Sequence, residues 1–476
     1  MNKFYVILAS TCLSLISCKE AKPNLKSNII FESEDNWKDP NPALTNEINA
    51  VIQSKLISLR QPCNEENQDK NSECALVDIS PSEVEPREKS LGYRIMVIDD
   101  PGMLVAAYTR YKDRVIKNIF EDENTGQFKA NPLNIQMPKA AREILEQTFE
   151  NPAYGKIPSE LLTSNQNIFY NKFKEMAENI NFKYDGKKHN GHSTVIFNYL
   201  ANNNPNSEFI LMHINENKFT NIFCNRIMSL KDKEKNINKL FKAQSNDIIE
   251  QVNKFKISFI SYSRGYSNNT LTFIENVNKC ENITSEFKSK INKSYFENFL
   301  KPITTNTNAI LVQSNTTSDY LINSENDENY YSDCQSLKNR IRVGFANDLQ
   351  YSIPIKGSNN IRILKGKDKN FKLCTDIYIN FAVEKERPYR YRKGAIQFSS
   401  FNIGTIVPTG YEVSSSNATP VALSYLIYLK SILQKENPTT EISNEMLLNR
   451  LYENNNFIFD PSLHKQLPIY ELGYLQ

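Results

Sequence analysis

Ser414-Ser415-Ser416-Asn417-Ala418-Thr419-Pro420 stands directly before an apolar stretch that runs to Gln434. A serine at that place normally caps a helix, its oxygen accepting from a backbone N–H of the first turn. Pro420 is then expected in that first turn, where a missing N–H does no harm. The helix itself is expected over Pro420–Gln434. Pro438-Thr439-Thr440-Glu441 opens another over Ile442–Tyr452, with Thr439 or Thr440 as its cap. What the serine turn does beyond capping depends on the strands upstream of it.

From Tyr93 onward short apolar runs alternate with longer helical ones, as in a mostly parallel sheet with crossover helices. The expected strands are Arg94–Ile98, Glu208–Ile214, Lys256–Tyr262, Ala309–Gln313 and Arg340–Phe345. Each is short, nearly continuous and rich in Ile, Val or Phe, as strands buried on both faces should be. Helices are expected over Lys139–Phe149, Ile168–Ile180, Leu230–Asn253 and Glu286–Leu300. Residues 19–90 are polar apart from an amphipathic stretch, Ala43–Leu59.

Composition narrows the function classes. The chain has 476 residues, enough for about three domains at ~150 residues each, or for one large α/β domain with appendages. Lys+Arg 57 against Asp+Glu 54 leaves a formal +3. That near-balance lacks the basic excess of a nucleic-acid binder, so no nucleic-acid partner is expected.

In open parallel sheets functional groups gather at the carboxyl ends of strands. Arg94–Ile98 runs into Asp99-Asp100-Pro101-Gly102, and Lys256–Tyr262 into Ser263-Arg264-Gly265. Ala309–Gln313 runs into Ser314-Asn315. Gly191-His192-Ser193-Thr194 opens a helical pattern, where the helix dipole is expected to lower the imidazole pKa and favour a neutral base. Singly, each reads as a turn or a cap. Together, Asp, His and Ser in that chain order form an orienter, base and nucleophile set.

The resemblance is to the subtilisin-like serine peptidases. Val97-Ile98-Asp99 with Gly102 resembles the family's Asp-Thr-Gly strand end, and Gly191-His192-Ser193-Thr194 its Gly-His-Gly-Thr. Ile260–Gly265 is similar to the strand ending in Ser-x-Gly that pairs with substrate, and Val312–Asn315 to Ala-Ala-Gly-Asn. Ser414–Pro420 resembles Gly-Thr-Ser-x-Ala-Thr-Pro. The resemblance covers about Gly92 to Asn456. It implies a three-layer αβα fold with a mostly parallel central sheet, and a catalytic triad of Asp99, His192 and Ser416. It also implies Asn315 in the oxyanion hole and Ser263, Arg264 and Gly265 along the peptide, with no cofactor required and structural calcium allowed. Asp100 is the second choice for the acid. Ser414, Ser193 and Ser314 stand where the family has glycines. The long span between Asp99 and His192 implies an insertion at about 110–180. The expected activity is endopeptidase, on a peptide or protein substrate, by a monomer. The alternative is an inactive relative that binds or scaffolds.

Residues 1–17 read as a secretory signal: Met-Asn-Lys, then an apolar run from Phe4 to Ile16, too short to span ~30 Å of hydrocarbon. Leu15-Ile16-Ser17-Cys18 resembles the lipobox of bacterial lipoproteins, which implies lipidation of Cys18 and a place in the cell envelope. Lys19 follows instead of an Asp, which favours the outer membrane. Residues 18–90 are then a stalk, 91–456 the peptidase domain and 457–476 a tail. In that oxidising compartment Cys63, Cys74, Cys224, Cys280, Cys334 and Cys374 are disulfide candidates, with nearest neighbours in sequence as the expected pairs. No Cys/His cluster points to zinc, and no metal site is expected.

Overall fold

A computed structural model describes residues 92–103, 111, 114–122, 125–130, 192–204, 206–315, 328–347, 350–354, 361–365, 374–381, 396–399, 402–406, 415–453 and 465–468, with residues 39, 41–47, 50 and 179. The strands are β1 (Arg94–Asp99), β2 (Val115–Glu121), β3 (Phe128–Ala130), β4 (Glu208–His213), β5 (Phe259–Tyr262), β6 (Ile310–Ser314) and β7 (Arg340–Asn347). They continue as β8 (Gln350–Pro354), β9 (Ile361–Lys365), β10 (Ile377–Phe381), β11 (Ile396–Ser399), β12 (Asn402–Ile406) and β13 (Lys465–Pro468). The main helices are α1 (His192–Asn203), α2 (Glu216–Phe223), α3 (Leu230–Phe255), α4 (Asn268–Asn278), α5 (Ser285–Tyr295), α6 (Ser415–Glu436) and α7 (Asn444–Glu453).

The main sheet runs β13-β10-β7-β6-β5-β1-β4-β2-β3, with β8 and β9 attached beyond β7. From β2 to β13 every neighbour on that path is parallel. This is an α/β fold with a mostly parallel sheet, and all five expected strands lie in it. β1 sits between β4 and β5, and its residues Ile95–Ile98 are fully buried. A strand covered on both faces cannot alternate polar and apolar residues, which is why its sequence reads as one apolar run.

The alternation of side chains along a strand decides which face each residue joins. Met96, Ile98, Ile210, Met212, Ile260 and Leu311 share one core cluster with Phe223, Phe241, Ile248, Phe287 and Phe299 from the segment that carries α2 to α5. The opposite phase, Ile95, Val97 and Asp99, faces the other layer. There Phe209 meets Phe197 of α1 edge-on, and α6 packs on β5, β6, β7 and α1. Asp99 therefore ends its strand on the side that carries α1 and α6.

Several expectations shift in detail. Helix α6 begins at Ser415, so Pro420 lies inside the helix beyond the first turn. The cap of α7 is Ser443, whose Oγ accepts from Met446 N at 3.2 Å; Thr439 and Thr440 lie upstream in the turn. The expected insertion contributes β2, a full member of the parallel sheet beside β4, and the expected tail contributes β13 on the edge beyond β10. Glu286–Leu300 divides into α5 and a π-helical turn over Phe296–Leu300. Lys139–Phe149 lies outside the described residues, as does Ile168–Ile180 except Asn179. So do residues 1–38, which include Cys18. Disulfides join Cys224 to Cys280 and Cys334 to Cys374, both nearest neighbours in sequence; Cys63 and Cys74 lie outside the described residues. No helix among the described residues is long and apolar enough to cross a membrane.

Candidate active site

The register of the sheet lines up three strand ends. Ile98 pairs with Tyr262, and Tyr262 with Gln313, so Asp99, Ser263 and Ser314 succeed one another along the carboxyl edge. In a parallel sheet the helices that follow strands return with their amino ends toward that edge. His192 is the first residue of α1 and Ser416 the second of α6, and both helices belong to the layer that Asp99 faces.

Asp99 and His192 meet directly. The imidazole Nδ1 lies 2.9 Å from Asp99 Oδ1, with the Asp99 side chain fully buried and 34% of the His192 side chain exposed. The same carboxylate oxygen accepts from Asp100 N at 2.7 Å. One backbone conformation and one contact fix this pairing. Gly102 has φ 147°, a conformation that glycine alone tolerates well. Its carbonyl accepts from Thr194 Oγ1, which ties the turn after β1 to the first turn of α1. Gly102 and Thr194 are thus the residues through which the two motifs hold each other. Ser193 is buried with no hydrogen-bond partner for Oγ among the described residues.

The electrostatics of His192 differ from the sequence expectation. Burial works to lower its pKa, as a helix start would. The charge and hydrogen bond of Asp99, reinforced by Asp100, outweigh burial and hold the imidazole above its ordinary value, with Arg264 opposing. The expected depression is therefore reversed, because Asp99 and Asp100 together favour the charged ring by more than burial penalises it. His213, beside Asp99 in register, behaves oppositely. It is wholly buried, bonded through Nε2 to Asn118 Oδ1 at 2.7 Å and stacked on Phe120; burial lowers its pKa to about 3, so it stays neutral.

Ser416 is held by the strand edge. Its Oγ donates to the Ser263 carbonyl at 3.2 Å, and Ser263 Oγ donates to the Ser416 carbonyl at 3.1 Å. Pro420 explains the second bond. In a regular helix the N–H four residues on would bond the Ser416 carbonyl. Proline has no N–H, so that carbonyl is left for Ser263. Ser416 Oγ does not hydrogen-bond His192 in this arrangement. Asn315 is buried directly after β6. Its amide donates to the Cys374 carbonyl and, at 2.8 Å, to Thr375 Oγ1, and its own carbonyl accepts from Ser415 Oγ at 2.5 Å. Asp99, His192 and Arg264 thus form one group in direct contact and Ser263 and Ser416 another, the two meeting at Ser263-Arg264, while Asn315 is tied in through Ser415, the chain neighbour of Ser416.

Sequence reasoning missed the side chain of Arg264. It lies 3.5 Å from Asp99 Oδ1 and 3.2 Å from Asp100 Oδ2, and also pairs with Glu216. Burial opposes its charge, but Asp99, Glu216 and Asp100 hold the guanidinium more firmly protonated than usual. The signal was present: an arginine at one strand end, beside a strand ending in two aspartates, with a glutamate just after β4. The ligand atoms of Asp99, Asp100 and His192 lie within 4.8 Å of one another, close enough to share a cation. The Arg264 guanidinium already stands against both carboxylates, so a hard cation such as calcium does not fit that group. Compared with known proteins, the chain matches no family model and no curated sequence.

Proposed function

We propose that the chain is a serine endopeptidase of the subtilisin-like type, acting at the bacterial cell envelope and anchored there through a lipid on Cys18. The observation that carries the reading is the buried Asp99 accepting from His192 Nδ1 at 2.9 Å. That bond fixes the tautomer that leaves Nε2 free to act as a base. In this reading Ser416 Oγ leaves the Ser263 carbonyl, gives its proton to His192 Nε2 and attacks the scissile carbonyl. Asp99 stabilises the imidazolium that forms. The Ser416 backbone N–H and the Asn315 amide receive the oxyanion, Asn315 by giving up a bond to Cys374 or Thr375. The peptide lies along Ser263–Gly265 as an added strand.

A second reading, a subtilisin-like lipoprotein that binds or scaffolds without hydrolysis, is favoured by the resting bonds of Ser416 and Asn315. Each engages a protein carbonyl in place of its catalytic partner. A fluorophosphonate probe separates the two. Labelling of the wild type, lost in Ser416→Ala, is the result expected of the peptidase. An unlabelled wild type, under conditions that label an active serine peptidase, refutes it.

A further inference from the structure

We propose that Arg264 is a positioning residue, its guanidinium bridging Asp99, Asp100 and Glu216 so that the Asp99 carboxylate presents one fixed oxygen to His192. The inference rests on the peptidase reading and extends it to a residue outside the triad. Asp99 Oδ1 carries the contacts to His192, Asp100 N and Arg264, whereas Oδ2 is buried with no hydrogen-bond partner among the described residues. Nothing on Oδ2 therefore resists rotation of the carboxylate. Nε, Nη1 and Nη2 of Arg264 each take a different carboxylate, from the end of β1, the turn after it and the start of α2. Only the planar fork of arginine reaches three acceptors in this way; an ammonium is a point charge.

The backbone of Arg264 is fixed as well. Its carbonyl accepts from Gln313 Nε2 at 2.8 Å, and Gln313 Oε1 accepts from Arg340 Nε at 2.9 Å. Its neighbour Ser263 holds Ser416. One residue thus joins the acid of the triad to the segment that holds the nucleophile. The charged groups facing His192 are Asp99 on β1, Asp100 in the turn and Arg264 after β5, with Glu216 of α2 behind Arg264. His213 on β4 is neutral, and α6 contributes the uncharged Ser416.

The test reads His192 apart from any activity. The chain has four histidines, so their imidazole signals can be followed by nuclear magnetic resonance in the full-length protein, with His192 assigned by its loss in His192→Ala. Arg264→Met is expected to raise the His192 midpoint and Asp100→Asn to lower it, since the two charges act on the ring with opposite signs. Arg264→Lys keeps the charge but not the fork. It is expected to leave the midpoint near that of the wild type while slowing fluorophosphonate labelling about 10²-fold, the cost of a misplaced catalytic group. Should Arg264→Met not fold, the charge-balanced pair Arg264→Met/Asp100→Asn takes its place, with the same loss of labelling. A midpoint unmoved by Arg264→Met, or labelling of Arg264→Lys as fast as the wild type, overturns the proposal while the peptidase reading stands. A wild type that is not labelled overturns the peptidase reading, and the His192 midpoints then decide alone whether Arg264 acts on the ring.

Discussion

Replacing Asn315 with alanine should damage stability and turnover for separate reasons. The Asn315 amide donates to the Cys374 carbonyl and to Thr375 Oγ1, and the residue is 1% exposed. A buried hydrogen bond is worth about 1 kcal/mol net, and a buried acceptor stripped of its donor costs ~1–3 kcal/mol. With two acceptors affected, Asn315→Ala should lose about 2–3 kcal/mol of stability. That exceeds what a turn asparagine would lose on sequence grounds alone. If the amide also turns to the oxyanion, kcat should fall ~10²–10³, about 2.7–4 kcal/mol of transition-state stabilisation. KM should stay nearly constant, because the bond exists only in the transition state. The assay is steady-state hydrolysis of an ester or peptide substrate, beside a urea denaturation curve. A lowered midpoint with unchanged kcat makes Asn315 purely structural and removes it from the oxyanion hole. An unchanged midpoint means that the bonds to Cys374 and Thr375 add no net stability, and refutes the first half of the prediction.

Asp99→Asn should cut kcat about 10⁴-fold by losing the imidazole's orienting charge. It should also alter the pH dependence of stability. The folded chain holds His192 above its ordinary value, so its contribution is complete below pH ~6.5 and is lost as pH rises through the folded value. Thermal melts from pH 5 to 9 should show that fall in the wild type and a flatter curve in Asp99→Asn; parallel curves would contradict the assignment. Ser193→Ala, which removes a buried hydroxyl with no partner among the described residues, should raise stability by about 1 kcal/mol, and a lower denaturation midpoint would show that Oγ is satisfied after all. Replacing Cys224 and Cys280 with alanine opens a loop of 56 residues and should cost about 4 kcal/mol in the chain-entropy account, read from denaturant curves. Cys18→Ser should move the protein from the membrane fraction to the soluble fraction of the envelope; unchanged fractionation would refute the lipid anchor.

The sheet and its strand ends were legible because buried parallel strands leave continuous apolar runs, and Arg94–Asp99 and Glu208–His213 stand almost where those runs do. Asp99 and His192 were legible through their places at a strand end and a helix start. Other features were not, because they depend on pairs far apart in sequence. The length of α6 before Pro420 depends on Ser415 and Ser416 finding Asn315 and Ser263 across the fold. The direction of the His192 shift depends on the charge and hydrogen bond of Asp99, reinforced by Asp100, outweighing burial, a balance that a helix-start argument omits. Lys465–Pro468 joins the sheet edge through backbone pairing with β10, and a four-residue strand of that composition carries no apolar run to announce it.

The strand order also sets a timetable. β1 lies between β4 and β5, so Arg94 cannot take its neighbour Glu208 until another 114 residues have been made. Until those residues are present the apolar strand stands without either sheet partner. β5 arrives later still, and helix α6, with Ser416, later again. Asp99 and His192 can therefore be paired in a chain whose Ser416 has still to join them.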